Sequence, residues 1–194
     1  SSPSITTEAV PDLNNRTPVV SVITPCYNGA AFLSETIDSV QAQTYPYIEH
    51  IVVDDGSTDE TWSILQRAGP RITAFRLERN CGGAHARNYG AARARGAFLL
   101  FLDSDDLLSP DAIGALLAAV QRRAATIGIC VWRRYRPDRR SNWSASPSEI
   151  PFPPPPDALK GWLAGIWIPP CAVLWRRSDF ESLGGWDEAL VANQ

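Results

Sequence analysis

The 194-residue chain has no methionine, and none of its four cysteines forms a CxxC pair. The scattered cysteines argue against a structural zinc site and predict reduced thiols. No apolar run approaches the roughly 20 residues that cross a bilayer, and residues 1–17 lack the apolar middle of a signal peptide. These absences exclude disulfide-rich, zinc-finger and membrane-spanning classes, and the missing methionine predicts a fragment or a processed chain.

The chain also has little net charge. It carries a formal charge of -3 with a pI near 5.4, which argues against a general nucleic-acid binder. Its apolar content of 44% and charged content of 20% are those of a globular protein with a sizeable core. Without a leader, we expect a cytoplasmic location, and peripheral association with the inner face of the membrane stays open.

The most informative stretch is 98–106, FLLFLDSDD. Its apolar first half predicts a fully buried strand. Asp103 and Asp105 follow two residues apart, so in an extended segment they would point to the same side. Paired carboxylates suit Mg²⁺ or Mn²⁺ completed by a phosphate. The alternative for this stretch alone is a solvated capping turn in which Asp106 or Ser109 begins the next helix.

Strand and helix patterns alternate along the first two thirds of the chain. Strands are predicted at 19–24, 48–53, 72–77, 98–102 and 126–132, and helices at 30–43, 57–68, 84–95 and 109–123. Ser57 and Glu60 have the spacing of a capping box, which predicts that the second helix begins at Ser57. The alternation predicts an α/β fold with a mostly parallel central sheet and helices on both faces.

Polar motifs follow four of these strands: PCYN, DDGS, NCGG and DSDD. Ligands of parallel sheets bind outside the carboxyl ends of the strands. Four chance loops would have no reason to share one edge, so their convergence predicts a binding site there.

The composition changes after residue 132. A cluster of arginines at 133–140 precedes a proline-rich stretch that cannot be regular helix or central strand. We therefore predict a loosely ordered arm at 1–17, a first half at 18–132, and a second half at 133–194 with a long loop at 136–157. A short helix at 157–163, a strand at 171–175 and a helix ending at Gly184 are expected in the last part.

The ordered motifs together resemble glycosyltransferase family 2. They are SVITPCYNGAAFLSETIDSVQAQTY, IVVDDGSTDET, NCGGAHARNYGAARARG, FLLFLDSDD and GGWDE, and the resemblance covers about residues 18–190. It implies the Rossmann-like A-type fold and an inverting, nucleotide-sugar-dependent hexosyl transfer. It also implies that 18–132 is a nucleotide-sugar-binding half and that 133–194 is an acceptor-side half. The arginines at 133–140 would then contact an anionic acceptor or a membrane, or form a solvated loop. DxD alone is a weak motif, whereas the ordered set is specific.

The resemblance also implies roles for individual residues. Pro25 and Tyr27 would pack the base, Asp55 would hydrogen-bond a uracil edge, and Gly83 and Arg87 would approach the base and the diphosphate. The implied nucleotide-sugar site comprises Pro25, Tyr27, Asn28, Asp54, Asp55, Gly83, Arg87, Asp103, Ser104 and Asp105. Simpler roles stay open: a turn proline, a core tyrosine, a helix cap at Asp54 and a solvated Arg87.

For the cofactor, the resemblance implies a divalent Mn²⁺ or Mg²⁺ bound by Asp105 and assisted by Asp103. Trp186 and Asp187 would touch the acceptor, which could be a glycan, a lipid-linked molecule or a protein. The catalytic base of the family follows the GGWDE turn, so we expect it beyond Gln194 and assign none here.

Two other functions stay open on the sequence. A nucleotidyltransferase shares a similar sheet but would have a glycine-rich loop where this chain has PCYNG. A non-catalytic nucleotide-sugar or glycan-binding module would bind the donor without transferring the sugar.

Overall fold

The computed structural model describes residues 19–122, 127–130, 135–137, 143–145 and 168–189. The strands in these ranges are β1 Val20–Cys26, β2 Ile48–Asp54, β3 Thr73–Arg76, β4 Phe98–Phe101, β5 Ile127–Ile129, β6 Tyr135–Pro137, β7 Trp143–Ala145 and β8 Val173–Arg176. The α-helices are α1 Leu33–Gln41, α2 Thr61–Ala68, α3 Gly83–Ala91, α4 Ala112–Arg122 and α5 Arg177–Ser182. None of the helices in the described ranges is long and apolar enough to span a bilayer.

A six-stranded sheet forms the centre of the molecule, in the order β3-β2-β1-β4-β8-β5. The first four of these strands pair in parallel. Strand β8 enters between β4 and β5 and runs antiparallel to both. The prediction of an α/β fold with a mostly parallel sheet is confirmed.

Helices cover both faces of this sheet, because side chains alternate along each strand. On one face Val20 and Val22 of β1 pack with buried residues of α4, including Ile113 and Leu116. On the other face Ile23 packs with residues of α3 and with Phe180 of α5. Helices α1 and α2 pack over Val52 on the same face as α4. A strand that is covered on both faces therefore carries apolar residues at both even-numbered and odd-numbered positions.

The ladder between β1 and β4 ends beside Pro25. The last paired residues are Ile23 and Phe101, and Ile23 O accepts a hydrogen bond from Leu102 N at 3.0 Å. The backbone N–H and C=O groups of odd-numbered β1 residues thus point towards β4. Pro25, which has no N–H, lies just past the last residue of β1 that pairs with β4. Because β1 continues to pair with β2 through Cys26, the sheet opens on one side only, between the ends of β1 and β4. This is the switch point at which ligands of open α/β sheets bind.

Several predicted boundaries are wrong. Helix α2 begins at Thr61, and Ser57 does not cap it: its Oγ accepts the N–H of Asn28 at 2.9 Å. Helix α3 ends at Ala91 instead of continuing to residue 95, and α4 begins at Ala112 instead of Ser109. The predicted loop at 136–157 contains the strand β7, which pairs antiparallel with β6.

Other predictions fall on residues outside the described ranges. They are the arm at 1–17, most of the arginine cluster at 133–140, the proline-rich part of the loop and the helix at 157–163.

Candidate functional site

The turn after β1 borders the opening in the sheet. Tyr27 is 42% exposed, so its ring is available to a ligand at this edge. Asn28 adopts a left-handed conformation with φ 51°, and its Oδ1 accepts the N–H of Thr58 at 2.9 Å. Pro25 lies in β1 and is buried, in register with Val53. Of these three predicted site residues, Tyr27 is thus presented at the surface, Asn28 ties two loops together, and Pro25 lies beneath the opening.

The two acids at the end of β2 are buried and already hydrogen-bonded. Asp55 is 2% exposed, and its two carboxylate oxygens accept the N–H groups of Cys81 and Gly82, both at 2.8 Å. Asp54 is fully buried and accepts the N–H of Ser57 at 2.9 Å. The Nε of Arg76 lies 3.2 Å from Asp54 Oδ2, an ion pair outside hydrogen-bond geometry. Asp55 therefore fixes the loop that leads into Gly83, the first residue of α3.

Arg87 and Asp103 meet across the opening. Arg87 lies on α3 and donates from Nη2 to Asp103 Oδ1, which places a cation beside the first acid after β4. Their side chains are 17% and 30% exposed. The guanidinium also lies over the Trp186 ring, with Cζ 5.0 Å from the ring centroid. The structure thus brings together three residues that the sequence predicted separately.

Residues 103–106 form a turn, so the expectation of an extended segment with Asp103 and Asp105 on one side is wrong. Asp106 N donates to Asp103 O at 3.0 Å, and Ser104 O accepts the hydroxyl of Thr36 on α1 at 2.8 Å. Asp105 is left exposed to solvent.

Asp106, the third acid of this turn, is partly buried, as Asp103 is. Burial raises the pKa of Asp106, a hydrogen bond with Cys171 lowers it, and the charges of Asp103 and Asp105 raise it further. Burial also raises the pKa of the Cys171 thiol, and the neighbouring Asp106 raises it further. Burial and the neighbouring charges thus favour the protonated form of Asp106.

The donor set fits a cation that is shared with a substrate. Within the described ranges, no group of three or more His, Cys, Asp or Glu side chains could hold a metal ion alone. Mg²⁺ typically takes one or two carboxylates and completes its shell with phosphate oxygens and water. The half-exposed Asp103 and the exposed Asp105 match that pattern and do not match a closed metal cage.

The turn at 184–188 packs onto α3 beside this cluster. Trp186 contacts Phe101 edge to face, with ring centroids 5.4 Å apart, and its backbone binds the Asn88 side chain. Glu188 accepts from Asn88 at 2.7 Å and lies 2.8 Å from His85 Nδ1. These hydrogen bonds, from Asn88 first and His85 second, lower the pKa of Glu188. Asp187 is exposed and accepts the N–H of Ala189 at 2.9 Å.

The sequence analysis did not identify Asn88, His85 or Glu188 as part of this site. These contacts join residues that lie about one hundred positions apart in the chain. Neither residue type nor local spacing indicates such a contact. Trp175, unlike Trp186 of this site, packs against Phe180 in the core and has a distance of 6.1 Å between ring centroids.

Known glycosyltransferases resemble the chain in sequence. The chain is 43% identical over 120 residues to the "putative teichuronic acid biosynthesis glycosyltransferase TuaG" of Bacillus subtilis, covering 60% of this chain and 48% of that protein. It is 34% identical over 120 residues to "glycosyltransferase GlyG" of Streptococcus pneumoniae, covering 60% and 40%. The chain thus spans less than half the length of either relative.

Solved structures share the fold. S. aureus TarS 1–349 in complex with UDP-GlcNAc superposes with a TM-score of 0.67 at 22% identity, covering 87% of this chain and 48% of that one. The mannosyltransferase PcManGT from Pyrobaculum calidifontis, in complex with GDP-Man and Mn²⁺, gives a TM-score of 0.65 at 24% identity, covering 90% and 49%. The profile described as Glycosyl transferase family 2 matches residues 21–183. With the motifs at the strand ends and this match over most of its length, the chain belongs to glycosyl transferase family 2.

Proposed function

We propose that this chain binds a UDP-sugar with the help of Mn²⁺ or Mg²⁺ and transfers the sugar, with inversion, to an acceptor hydroxyl. The observation that carries the proposal is the Arg87–Asp103 pair beside the exposed Asp105, at the switch point of the sheet. A diphosphate needs cations and shared metal ligands, and this edge offers both within one cluster.

The base subsite is assigned to the turn after β1 and to the loop before α3. The exposed Tyr27 ring would stack on the uracil. Asp55 would shape the pocket by holding Cys81 and Gly82, which brings the Gly83 backbone towards the base. Asn28 and Asp54 would keep the two bordering loops in place, and Pro25 would form the floor. UDP-GlcNAc binding by S. aureus TarS supports the choice of a uridine donor.

The diphosphate subsite is assigned to Arg87, Asp103, Ser104 and Asp105. A bound divalent cation would neutralise the charge that develops on the departing nucleoside diphosphate. Asp103 and the exposed Asp105 would bind this cation. Arg87 would exchange its ion pair with Asp103 for one with the phosphates. The Mn²⁺ bound in PcManGT supports a divalent cation in this fold.

The acceptor subsite is assigned to the turn that carries Trp186 and Asp187. The exposed Asp187 could accept a hydrogen bond from an acceptor hydroxyl. Inversion also requires a carboxylate that takes the proton of that hydroxyl, and none of the residues assigned above has this role. Glycan, lipid-linked and protein acceptors all fit this chemistry.

The proposal is tested by calorimetric titration of UDP into the chain, with and without Mn²⁺. We expect binding that requires the metal and that Asp105→Ala weakens by about tenfold or more, the loss expected for one charge-assisted ligand. Asp38→Asn is the control, because it removes a carboxylate that is likewise exposed and whose ion pair in the described part of the chain is with Arg71. Equal UDP affinity in the wild type and Asp105→Ala would overturn the assignment of Asp105.

Transfer is tested separately from binding. UDP release from UDP-GlcNAc with a panel of acceptors, and the anomeric configuration of the product by NMR, would report activity and inversion. Donor binding without UDP release from any acceptor would favour the non-catalytic binding module.

A further inference from the structure

We infer that Asn88 is a positioning residue that holds the 184–188 turn on α3 and, through Trp186, keeps Arg87 directed at the diphosphate subsite. The inference rests on the proposed function for the identity of that subsite. It concerns a residue that touches none of the proposed ligand groups itself.

The first observation is the way in which Asn88 binds the turn. Its Nδ2 donates to Trp186 O at 2.8 Å, and its Oδ1 accepts from Trp186 N at 2.9 Å. The same Nδ2 donates to Glu188 Oε1 at 2.7 Å. A carboxamide can donate to the backbone C=O from its nitrogen and accept from the backbone N–H at its oxygen, whereas a carboxylate can only accept. Asn88 therefore forms with the Trp186 backbone the two hydrogen bonds, one donated and one accepted, that a neighbouring strand would form.

The second observation is how closely the turn fits around this carboxamide. Gly185 has φ +76°, and a Cβ at this position would lie 2.7 Å from Asn88 Oδ1. A glycine here thus serves both the backbone conformation and the approach to Asn88. His85, one helical turn before Asn88 on α3, pairs with the other oxygen of Glu188. The turn is thus held at two of its residues, Trp186 and Glu188, and from two successive turns of the helix.

The third observation links the turn to the charged cluster. The Trp186 ring that Asn88 positions lies under the guanidinium of Arg87, which pairs with Asp103. A cation over a tryptophan face is attracted and loses freedom of orientation. Arg87 Nε and Trp186 Nε1 are both buried and have no partner within the described ranges, so hydrogen bonds do not hold these two side chains together. The ion pair with Asp103 and the stacking on Trp186 together orient Arg87, and the stacking depends on where Asn88 places Trp186.

This arrangement predicts a selective defect. Asn88→Asp keeps the size of the side chain, but a carboxylate cannot donate to Trp186 O and would face the Glu188 carboxylate. The turn should leave α3, and Arg87 should lose its stacked orientation. Affinity for UDP, which has the diphosphate, should fall by about five- to tenfold. Affinity for uridine, which contacts only the base subsite, should be unchanged.

The experiment titrates UDP with Mn²⁺ by calorimetry and uridine by NMR into the full chain. It compares the wild type, Asn88→Asp and Trp186→Leu, which removes the stacked ring and leaves the backbone contacts of Asn88 in place. We expect both variants to lose UDP affinity selectively and the double variant to be no weaker than the weaker single one, because both act through one contact. Gln41→Glu is the charge-matched control, since Gln41 ends α1 at the opposite edge of the sheet. Hydrogen exchange at the Trp186 amide should become faster in Asn88→Asp.

Each outcome decides a different question. No UDP binding by the wild type would overturn the proposed function and the inference with it. Wild-type binding together with an equal loss, or no loss, of UDP and uridine affinity in Asn88→Asp would overturn the inference alone. The same loss in Gln41→Glu would also overturn it, because the effect would then be one of net charge. If Asn88→Asp does not fold, Trp186→Leu decides by the same comparison.

Discussion

The ends of β2 and β4 look alike in the sequence but differ in the structure. Each is an apolar strand followed by aspartates. At the end of β2, Asp54 and Asp55 are buried and bind backbone N–H groups. At the end of β4, Asp103 is half-exposed and Asp105 is exposed. The difference comes from the loops that follow, because among the described residues backbone N–H groups bind the side chains of the β2 acids and not those of Asp103 and Asp105.

This contrast separates stability from function. Acids whose oxygens are filled by the chain hold loops in place, and acids left facing water can bind a ligand. We therefore expect substitutions at the end of β2 to unfold the protein, and substitutions at the end of β4 to leave the fold intact.

The largest effect is expected for Asp55→Ala. The change removes the acceptor of the Cys81 N–H and one of the two acceptors of the Gly82 N–H, which also donates to Asn80 Oδ1 at 3.0 Å. Each hydrogen bond to a charged group contributes about 1.5–3 kcal/mol. The free energy of unfolding, measured by urea denaturation, should fall by about 2–5 kcal/mol. A loss below about 0.5 kcal/mol, the range of ordinary surface changes, would mean that the β2 acids are not structural.

The second effect concerns pH and another buried group of β2. Burial lowers the pKa of His50 to about 3 from its ordinary value of 6.5, so the folded state keeps it neutral. Between roughly pH 6.5 and pH 3 the unfolded chain binds a proton that the folded chain does not, so stability falls as the pH falls. The slope from this group alone approaches about 1.4 kcal/mol per pH unit.

This slope can be measured by denaturant unfolding at several pH values in the wild type and in His50→Gln. The variant lacks the titrating ring and should show a shallower dependence. Parallel curves for the two proteins would assign the pH dependence to other groups.

A smaller effect is expected at the tie between α1 and the acidic turn. Thr36→Val removes the hydroxyl that donates to Ser104 O and keeps the shape of the side chain. Unfolding free energy should fall by about 1 kcal/mol, the net value of one such hydrogen bond. Thr36→Ser keeps the hydroxyl and is the matched control; if it loses as much stability as Thr36→Val, packing is the cause instead of the hydrogen bond.

The smallest effect on stability is expected for Asp105→Ala. An exposed side chain in a turn contributes little, so the unfolding free energy should stay within about 0.5 kcal/mol of the wild type. The thermal midpoint measures this directly. A loss as large as that of Asp55→Ala would remove the distinction between the two strand ends.

The sequence analysis predicted what depends on local pattern. The β-branched run of β1 and the helical spacing of Phe32, Leu33, Ile37 and Val40 were sufficient for a strand and for α1. Parallel pairing followed from their alternation. The antiparallel position of β8 between β4 and β5 did not follow from any local pattern, because it pairs segments that are distant in the chain, Phe98 with Arg176 and Ile129 with Val173.

The failures at the site have a common physical cause. The capping box at Ser57 and Glu60 failed because Asn28, from another loop, takes the Ser57 hydroxyl. The extended geometry of Asp103 and Asp105 failed because the chain turns at Asp103, where Thr36 of the distant helix α1 donates to Ser104 O. Asn88 had no signal in its own neighbourhood, since Trp186 and Glu188 are its partners. In each case a contact between distant segments determined the geometry.

Pro25 offers a place to divide the molecule for engineering. In the part of β1 before the end of the β1–β4 ladder, a substituted side chain must fit the packing on its sheet face, and the backbone must keep its pairing with both β2 and β4. Above it, the loops after Cys26 and Phe101 are no longer bonded to each other by the ladder. Amide hydrogen exchange should therefore be much slower in β1 before Pro25 than in the loops after Cys26 and Phe101. Loops grafted after it could change the specificity of the proposed donor site while the same sheet continues to fold.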